Sequence, residues 1–264
     1  MFRRLAVLLV LLPASLPASL PASLAAQQPR GGNGYWFNRP FGSLSVRAGA
    51  VRPNASGGVF DFTSGLLMRR ASTNTEQGLA PGDYLGLSVA LENAITVGPR
   101  GELVIGVAIE NRKLESEYRS WLDNKDRPIE QFTRFNRLPL SLGYKWNLRP
   151  AGRAVSRLAW VPTGFVPYLA AGGGAMYWSF RQEGDFVDFQ SSNLVVFRSI
   201  LQDKGWAPLG YLATGASWSL SPRTALTTEA RYDAARAPLG GSFDGFTNIG
   251  LSGVRMTAGV QLRY

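Results

Sequence analysis

From Ser252 to Tyr264 the chain alternates without a break. One face reads Val254, Met256, Ala258, Val260, Leu262, Tyr264, and the other Arg255, Thr257, Gly259, Gln261, Arg263. Strict period-2 alternation marks an extended strand with one apolar and one polar face. A run of about thirteen residues is far longer than the five or six of an ordinary soluble strand. It meets the ~9–11 residues that a tilted strand needs to cross a bilayer.

The pattern recurs upstream. Residues 41–52 set Leu44, Val46, Ala48 and Ala50 against Ser43, Ser45, Arg47 and Gly49, and 84–92 set Leu85, Leu87, Val89 and Leu91 against Gly86, Ser88 and Glu92. Residues 102–112 oppose Leu103, Ile105, Val107 and Ile109 to Glu102, Gly106, Ala108 and Glu110. Residues 137–148 oppose Leu138, Leu140, Leu142, Tyr144 and Trp146 to Arg137, Ser141, Gly143 and Lys145. Three less regular strands are predicted over 165–180, 206–220 and 225–233. In the first, Val166, Tyr168, Ala170, Met176, Trp178 and Phe180 form the apolar face, with a kink at Gly172–Gly174. The fold class is therefore all-β, an eight-stranded antiparallel transmembrane β-barrel whose even strand number brings both chain ends to one side.

The links support this count. Long polar segments at 53–81, 113–134, 182–205 and 234–250 alternate with shorter ones at 93–101, 149–164 and 221–224. Outer-membrane barrels likewise alternate long extracellular loops with short periplasmic turns. The 149–164 link is too long for a tight turn, and is either a periplasmic excursion or an early start to the fifth strand. Aromatics sort to the strand ends. Tyr144, Trp146, Tyr168 and Trp218 fall at the periplasmic edge and Trp178, Trp206 and Tyr232 at the outer edge, the two belts of an aromatic girdle.

The barrel occupies 41–264. Before it, Met1–Ala26 reads as a secretory signal peptide, with Arg3 and Arg4 leading an apolar Leu5–Leu12 too short to span a bilayer. Pro13, Pro17 and Pro21 argue against an anchoring helix. Residues 27–40 form a flexible, Gly-rich leader, with Tyr35–Phe37 placed at the membrane interface.

Composition removes most catalytic schemes. The chain has no Cys and no His, so disulfide frameworks, thiolate zinc sites and every catalytic arrangement built on imidazole are excluded. Glu229 and Asp233 share one strand face about 13 Å apart by strand rise, too far for a retaining carboxylate pair. Asp123/Asp126 and Asp185/Asp188 read as solvated loop acids. No enzyme activity, metal or cofactor is expected.

The polar face is chemically distinctive. Arg47, Arg137, Lys145, Arg231, Arg255 and Arg263 point inward with Glu92, Glu102, Glu110, Glu229 and Asp233. Buried charge needs paired, hydrogen-bonded partners, so a lumen charge network that plugs the barrel is expected, with an Arg-lined narrow pathway as the alternative. Gly86, Gly106, Ala108, Gly143, Gly173, Ala175 and Gly215 are also read inward, either as room for large neighbours or as a cavity. Without Arg3 and Arg4 the chain carries 26 basic and 18 acidic residues, a net +8. Arg69, Arg70, Arg112, Arg134 and Arg181 near the outer edge are candidate contacts for lipopolysaccharide phosphates. No one-sided basic run suggests nucleic acid.

With these strands in place, the chain resembles the small outer-membrane β-barrel family of the OmpX, OmpW and OmpA membrane-domain type. The resemblance covers about residues 41–264, and its most specific element is the C-terminal strand. Val260, Leu262 and Tyr264 look like the terminal signal that the family's assembly machinery reads, which implies that machinery and outer-membrane lipid as partners. The resemblance implies a location in the cell outer membrane. The leading expectation is a non-enzymatic protein of membrane integrity or of surface interaction through four long extracellular loops. A narrow channel for small or hydrophobic solutes is the alternative, as the OmpW type implies. A soluble periplasmic ligand-binding barrel is a third reading, and it requires the reverse alternation, apolar inside and polar outside.

Overall fold

The computed structural model describes residues 39–70, 78–123, 125–156, 159–188 and 195–264. The expected signal peptide and the leader up to residue 38 lie outside the described residues.

Eight long strands carry the fold: β1 (Gly42–Pro53), β2 (Gly86–Thr96), β3 (Gly101–Leu122), β4 (Pro128–Asn147), β5 (Phe165–Asp188), β6 (Val195–Ser219), β7 (Thr224–Ala237) and β8 (Gly253–Arg263). Each pairs antiparallel with the next, and β8 returns to β1 with Ser43 opposite Arg263 and Pro53 opposite Gly253. The seam is finished by two bonds, Gly42 N–H to the Tyr264 carbonyl at 3.2 Å and Tyr264 N–H to the Gly42 carbonyl at 3.0 Å. Closure leaves no unpaired sheet edge in this ring, which is the condition for a β-structure to stand in lipid.

One end of the ring has short turns. Val97–Arg100 joins β2 to β3, and Leu220–Arg223 joins β6 to β7. In the second turn the Ser221 hydroxyl accepts the N–H groups of Arg223 and Thr224 at 3.1 and 3.0 Å, a local substitute for ladder bonds. The long 149–164 link holds a separate hairpin, Gly152–Ser156 paired with Ala159–Pro162. It is thus an excursion, and β5 starts at Phe165. By turn length this is the periplasmic end.

The opposite end departs from expectation. Segments 113–134 and 182–205, read as loops, are mostly strand. Pairing of β2 with β3 stops at Leu87–Asn111 and that of β7 with β6 at Ala235–Leu209, whereas β5 and β6 stay paired out to Asp188–Val195. Strands β3–β6 therefore rise past the ring as a four-stranded sheet, with Leu67–Arg69 added beside Ser116–Tyr118. The cause is physical. Above the membrane neither face of a strand must be apolar, so the alternation that identifies a strand in lipid fades while the backbone pairing continues. Two long connections remain on this side, 54–85 and 238–252. The first contains a helix, α1 (Gly58–Leu66).

Candidate functional site

The interior of the ring is built from the even face of β5 and the polar faces of the other strands. Arg47 on β1 is the centre of the lower storey. Its Nη2 lies 2.7 Å from Glu92 Oε2 on β2 and 3.1 Å from Glu229 Oε1 on β7. Lys145 on β4 sits 2.7 Å from Glu102 and 3.6 Å from Glu92. The Tyr168 hydroxyl donates to Glu229 Oε2 at 3.1 Å, and the Asn147 amide donates to Glu102 Oε1 at 2.8 Å.

A second storey lies nearer the outer mouth. Glu110 receives Arg137 at 2.7 Å and Arg255 at 3.0 Å, and Arg137 also donates to the Leu251 carbonyl. Arg231 pairs with Asp233 at 2.7 Å, donates to the Ser141 hydroxyl at 3.2 Å, and stacks 3.6 Å above the Tyr211 ring. A guanidinium can do all three because its donors lie in one plane whose faces remain free to stack. Ten of the eleven charged side chains expected to face inward are buried, and Glu102 is nearly so. Arg263 lines the same pocket as Glu102, and no ion pair joins them. Its guanidinium donates to the Ser219 hydroxyl at 2.8 Å and lies 5.9 Å from the Trp160 ring of the periplasmic hairpin. The interior pocket beside Arg47, Glu92, Ser141, Arg231 and Arg255 has a volume of about 10 Å³, room for one water at most.

Above the charges the filling turns apolar. Helix α1 lays Val59 and Phe60 over the mouth, and Phe60 meets Tyr84, Phe135 and Phe180 edge-on at 5.2, 5.7 and 5.5 Å between ring centres. Phe243, from the last outer connection, closes on Phe180 at 5.4 Å. Edge-to-face contact is the favoured geometry of rings carrying a quadrupole. Burial under this lid pushes the Tyr84 hydroxyl up to about 12. Trp160, 3% exposed, covers the floor.

The outside is the inverse of the inside. Leu87, Ile105, Ile109, Leu142, Leu212, Leu226, Met256 and Val260 all point into the surroundings and are exposed. Tyr144, Trp146, Trp206, Trp218 and Tyr232 stand outward at the margins of this band. A chain that buries eleven charges and exposes its aliphatic residues around a closed ring has hydrocarbon for a solvent. The protein is a closed eight-stranded transmembrane β-barrel. A soluble periplasmic barrel would need the opposite faces.

No protein-family model and no curated protein matches this barrel. Among solved structures it is similar to the outer membrane protein OprG of Pseudomonas aeruginosa, at 12% identity and a TM-score of 0.46, with 87% of this chain and 99% of that chain covered. It is also similar to the attachment invasion locus protein Ail of Yersinia pestis, at 9% identity and a TM-score of 0.39 over 84% and 99%. Neisserial surface protein A gives 12% identity and a TM-score of 0.40 over 84% and 96%.

Two members of the expected girdle are elsewhere. Tyr168 and Trp178 are each 2% exposed and belong to the interior of the barrel, with Met176 and Phe180. Gly173 and Ala175, read inward, stand opposite the lipid-facing Leu142 and Leu140 and so lie on the outer face. Both faces of β5 are apolar over Phe165–Ala175, and beyond them the apolar face of Met176, Trp178 and Phe180 lines the lumen, so period-2 counting turns the strand the wrong way round. The neighbouring strand gives the orientation, because residues directly opposite share a face: Trp178 stands opposite the inward Arg137. Sequence reading also missed the lid residues Phe60 and Phe243, whereas Phe135 stands out in the sequence as a loop aromatic able to cap the barrel. The short Val59–Phe62 run inside a long polar segment was the available signal. At the outer edge, Arg70 pairs with Glu115 and Glu130 at 3.5 and 3.0 Å, Arg112 donates to the Asp83 carbonyl at 2.9 Å, and Arg181 meets Glu183 at 2.8 Å.

Proposed function

We propose that the barrel is a closed surface-interaction protein, whose filled lumen supports the four-stranded sheet that β3–β6 raise above the outer leaflet. The observation that carries this reading is the filling of the lumen at successive levels by Trp160, the two ion-pair storeys and the Phe60–Phe180–Phe243 lid, with a cavity of about 70 Å³ beside the lid. Side chains tied across the interior hold the wall rigid, and a rigid wall holds the emergent strands at a defined angle. The exposed Val195, Phe197 and Ile200 on the far part of β6 offer a partner apolar contact beside solvated charge. Arg69 and Arg134, exposed at the same end, are the arginines placed to meet lipopolysaccharide phosphates.

Two measurements test this. Refolded barrel in liposomes should pass no small solute, and Phe60→Ala with Glu110→Ala should leak; flux through the unaltered protein would make it a channel. Cells displaying a barrel whose 182–202 segment is replaced by a short turn should lose adhesion to a surface that the intact protein binds, while keeping heat-modifiable migration on gels. Equal adhesion would remove the sheet from the proposal.

A further inference from the structure

Charge is distributed unevenly along the barrel axis. The outer segments 52–85, 111–136, 181–204 and 234–252 carry thirteen basic and thirteen acidic residues between them. The inward network holds six bases and five acids. The periplasmic links at 97–100, 148–164 and 220–223 contain no Asp or Glu at all, and neither does the segment 27–42 that leads into β1. The excess positive charge of the chain is therefore concentrated at one end.

Five arginines make up this end among the described residues: Arg39, Arg100, Arg149, Arg153 and Arg223, all exposed. They are spread around the circumference, since they come from the start of β1, the β2–β3 turn, the β4–β5 link and the β6–β7 turn. Most lie one to three residues beyond an exposed apolar side chain: Arg39 beyond Phe41, Arg100 beyond Val97, Arg149 beyond Leu148 and Trp146, and Arg223 beyond Leu220. Arg100 and Arg223 end tight turns, closed by Val97 N–H to the Gly101 carbonyl at 2.9 Å and Leu220 N–H to the Thr224 carbonyl at 3.0 Å, so with Arg39 and Arg149 they stand at the rim that borders the apolar band, where headgroups lie.

We infer that the periplasmic rim is a binding ring for the anionic headgroups of phospholipids in the periplasmic leaflet. A guanidinium meets a phosphate with two parallel hydrogen bonds, and its aliphatic stem can lie along the apolar surface beside it. A ring that surrounds the barrel and borders its lipid band touches lipid on every side. A polymer or protein partner would be met by charge gathered on one face.

The test uses the barrel refolded into nanodiscs of equal phosphatidylcholine and phosphatidylglycerol, with the lipids that stay bound on release counted by native mass spectrometry. Phosphatidylglycerol should be enriched at least about fivefold over phosphatidylcholine, the factor expected for a single surface arginine. Replacing Arg100, Arg149 and Arg223 by Gln should abolish the enrichment, and replacing them by Lys should keep it. Arg69→Gln with Arg134→Gln at the outer end should leave it unchanged. Heat-modifiable migration verifies that each variant is folded. Equal retention of the two lipids by the unaltered barrel would overturn the proposal, as would enrichment that survives the triple Gln change or disappears only in the outer pair. Binding to isolated peptidoglycan through the same three arginines, without lipid enrichment, would also overturn it.

Discussion

Glu110 and Arg137 stand directly opposite each other on β3 and β4, and their side chains meet inside the barrel at 2.7 Å. Arg255 reaches the same carboxylate from β8 at 3.0 Å. One acid thus holds two buried cations. Glu110→Gln leaves both without a counter-charge, at an expected cost of about 3–5 kcal/mol. Glu115→Gln breaks only exposed pairs with Arg70 and Lys113 and should cost less than about 1 kcal/mol. Urea unfolding of the refolded barrel in lipid vesicles measures both, and equal midpoints would deny the network a stabilising role.

Any side chain at Gly215 would run into the Thr228 backbone carbonyl and the ring of Tyr168. Tyr168 in turn holds Glu229. Gly215→Val should cost about 1–3 kcal/mol through overpacking. Tyr168→Ala added to it should relieve the part of the clash made with the ring and leave the part made with the Thr228 carbonyl, so the double variant should unfold somewhat later than the sum of the two single losses. Strict additivity would mean the two positions do not communicate.

The reassignment of β5 is open to a spectroscopic check. In single-tryptophan variants, quenchers carried on lipid chains should dim Trp146, Trp206 and Trp218, which face outward, and leave Trp178 and Trp160, which are buried, close to their unquenched intensity. Strong quenching of Trp178 would return it to the girdle.

At the tip between β3 and β4, Asp123 accepts from the Arg127 side chain at 2.8 Å and from the Lys125 and Arg127 N–H groups at 2.8 and 2.9 Å. These bonds, that of the Arg127 side chain foremost, hold the carboxyl down at about 2. A depressed carboxyl orders the turn at every pH above its ordinary value, and the ordering disappears as pH falls through about 2. An NMR titration should place the Asp123 midpoint there, and Arg127→Gln should move it up toward the usual carboxylate range. No movement would show that the backbone donors alone set it.

Most of the ring was legible from the chain. Alternation such as that of Val254–Tyr264 is imposed by lipid on one side and a narrow interior on the other, and it assigns each residue to a face without reference to any other strand. That is why Arg47, Glu92, Glu110, Lys145 and Arg255 were identified as inward from sequence alone. Alternation is silent where lipid no longer constrains the outward face, so the emergent parts of β3–β6 and the hairpin bearing Trp160 read as loops. It misleads at Met176–Phe180, where the apolar face lines an interior that turns apolar above the charges, and there only the register against Arg137 on β4 decides that Trp178 points inward. Which acid meets which base is likewise a property of the closed ring. Glu110 and Arg255 are far apart in the chain and meet only because β8 closes against β1, so their pairing follows from barrel closure and not from any local pattern.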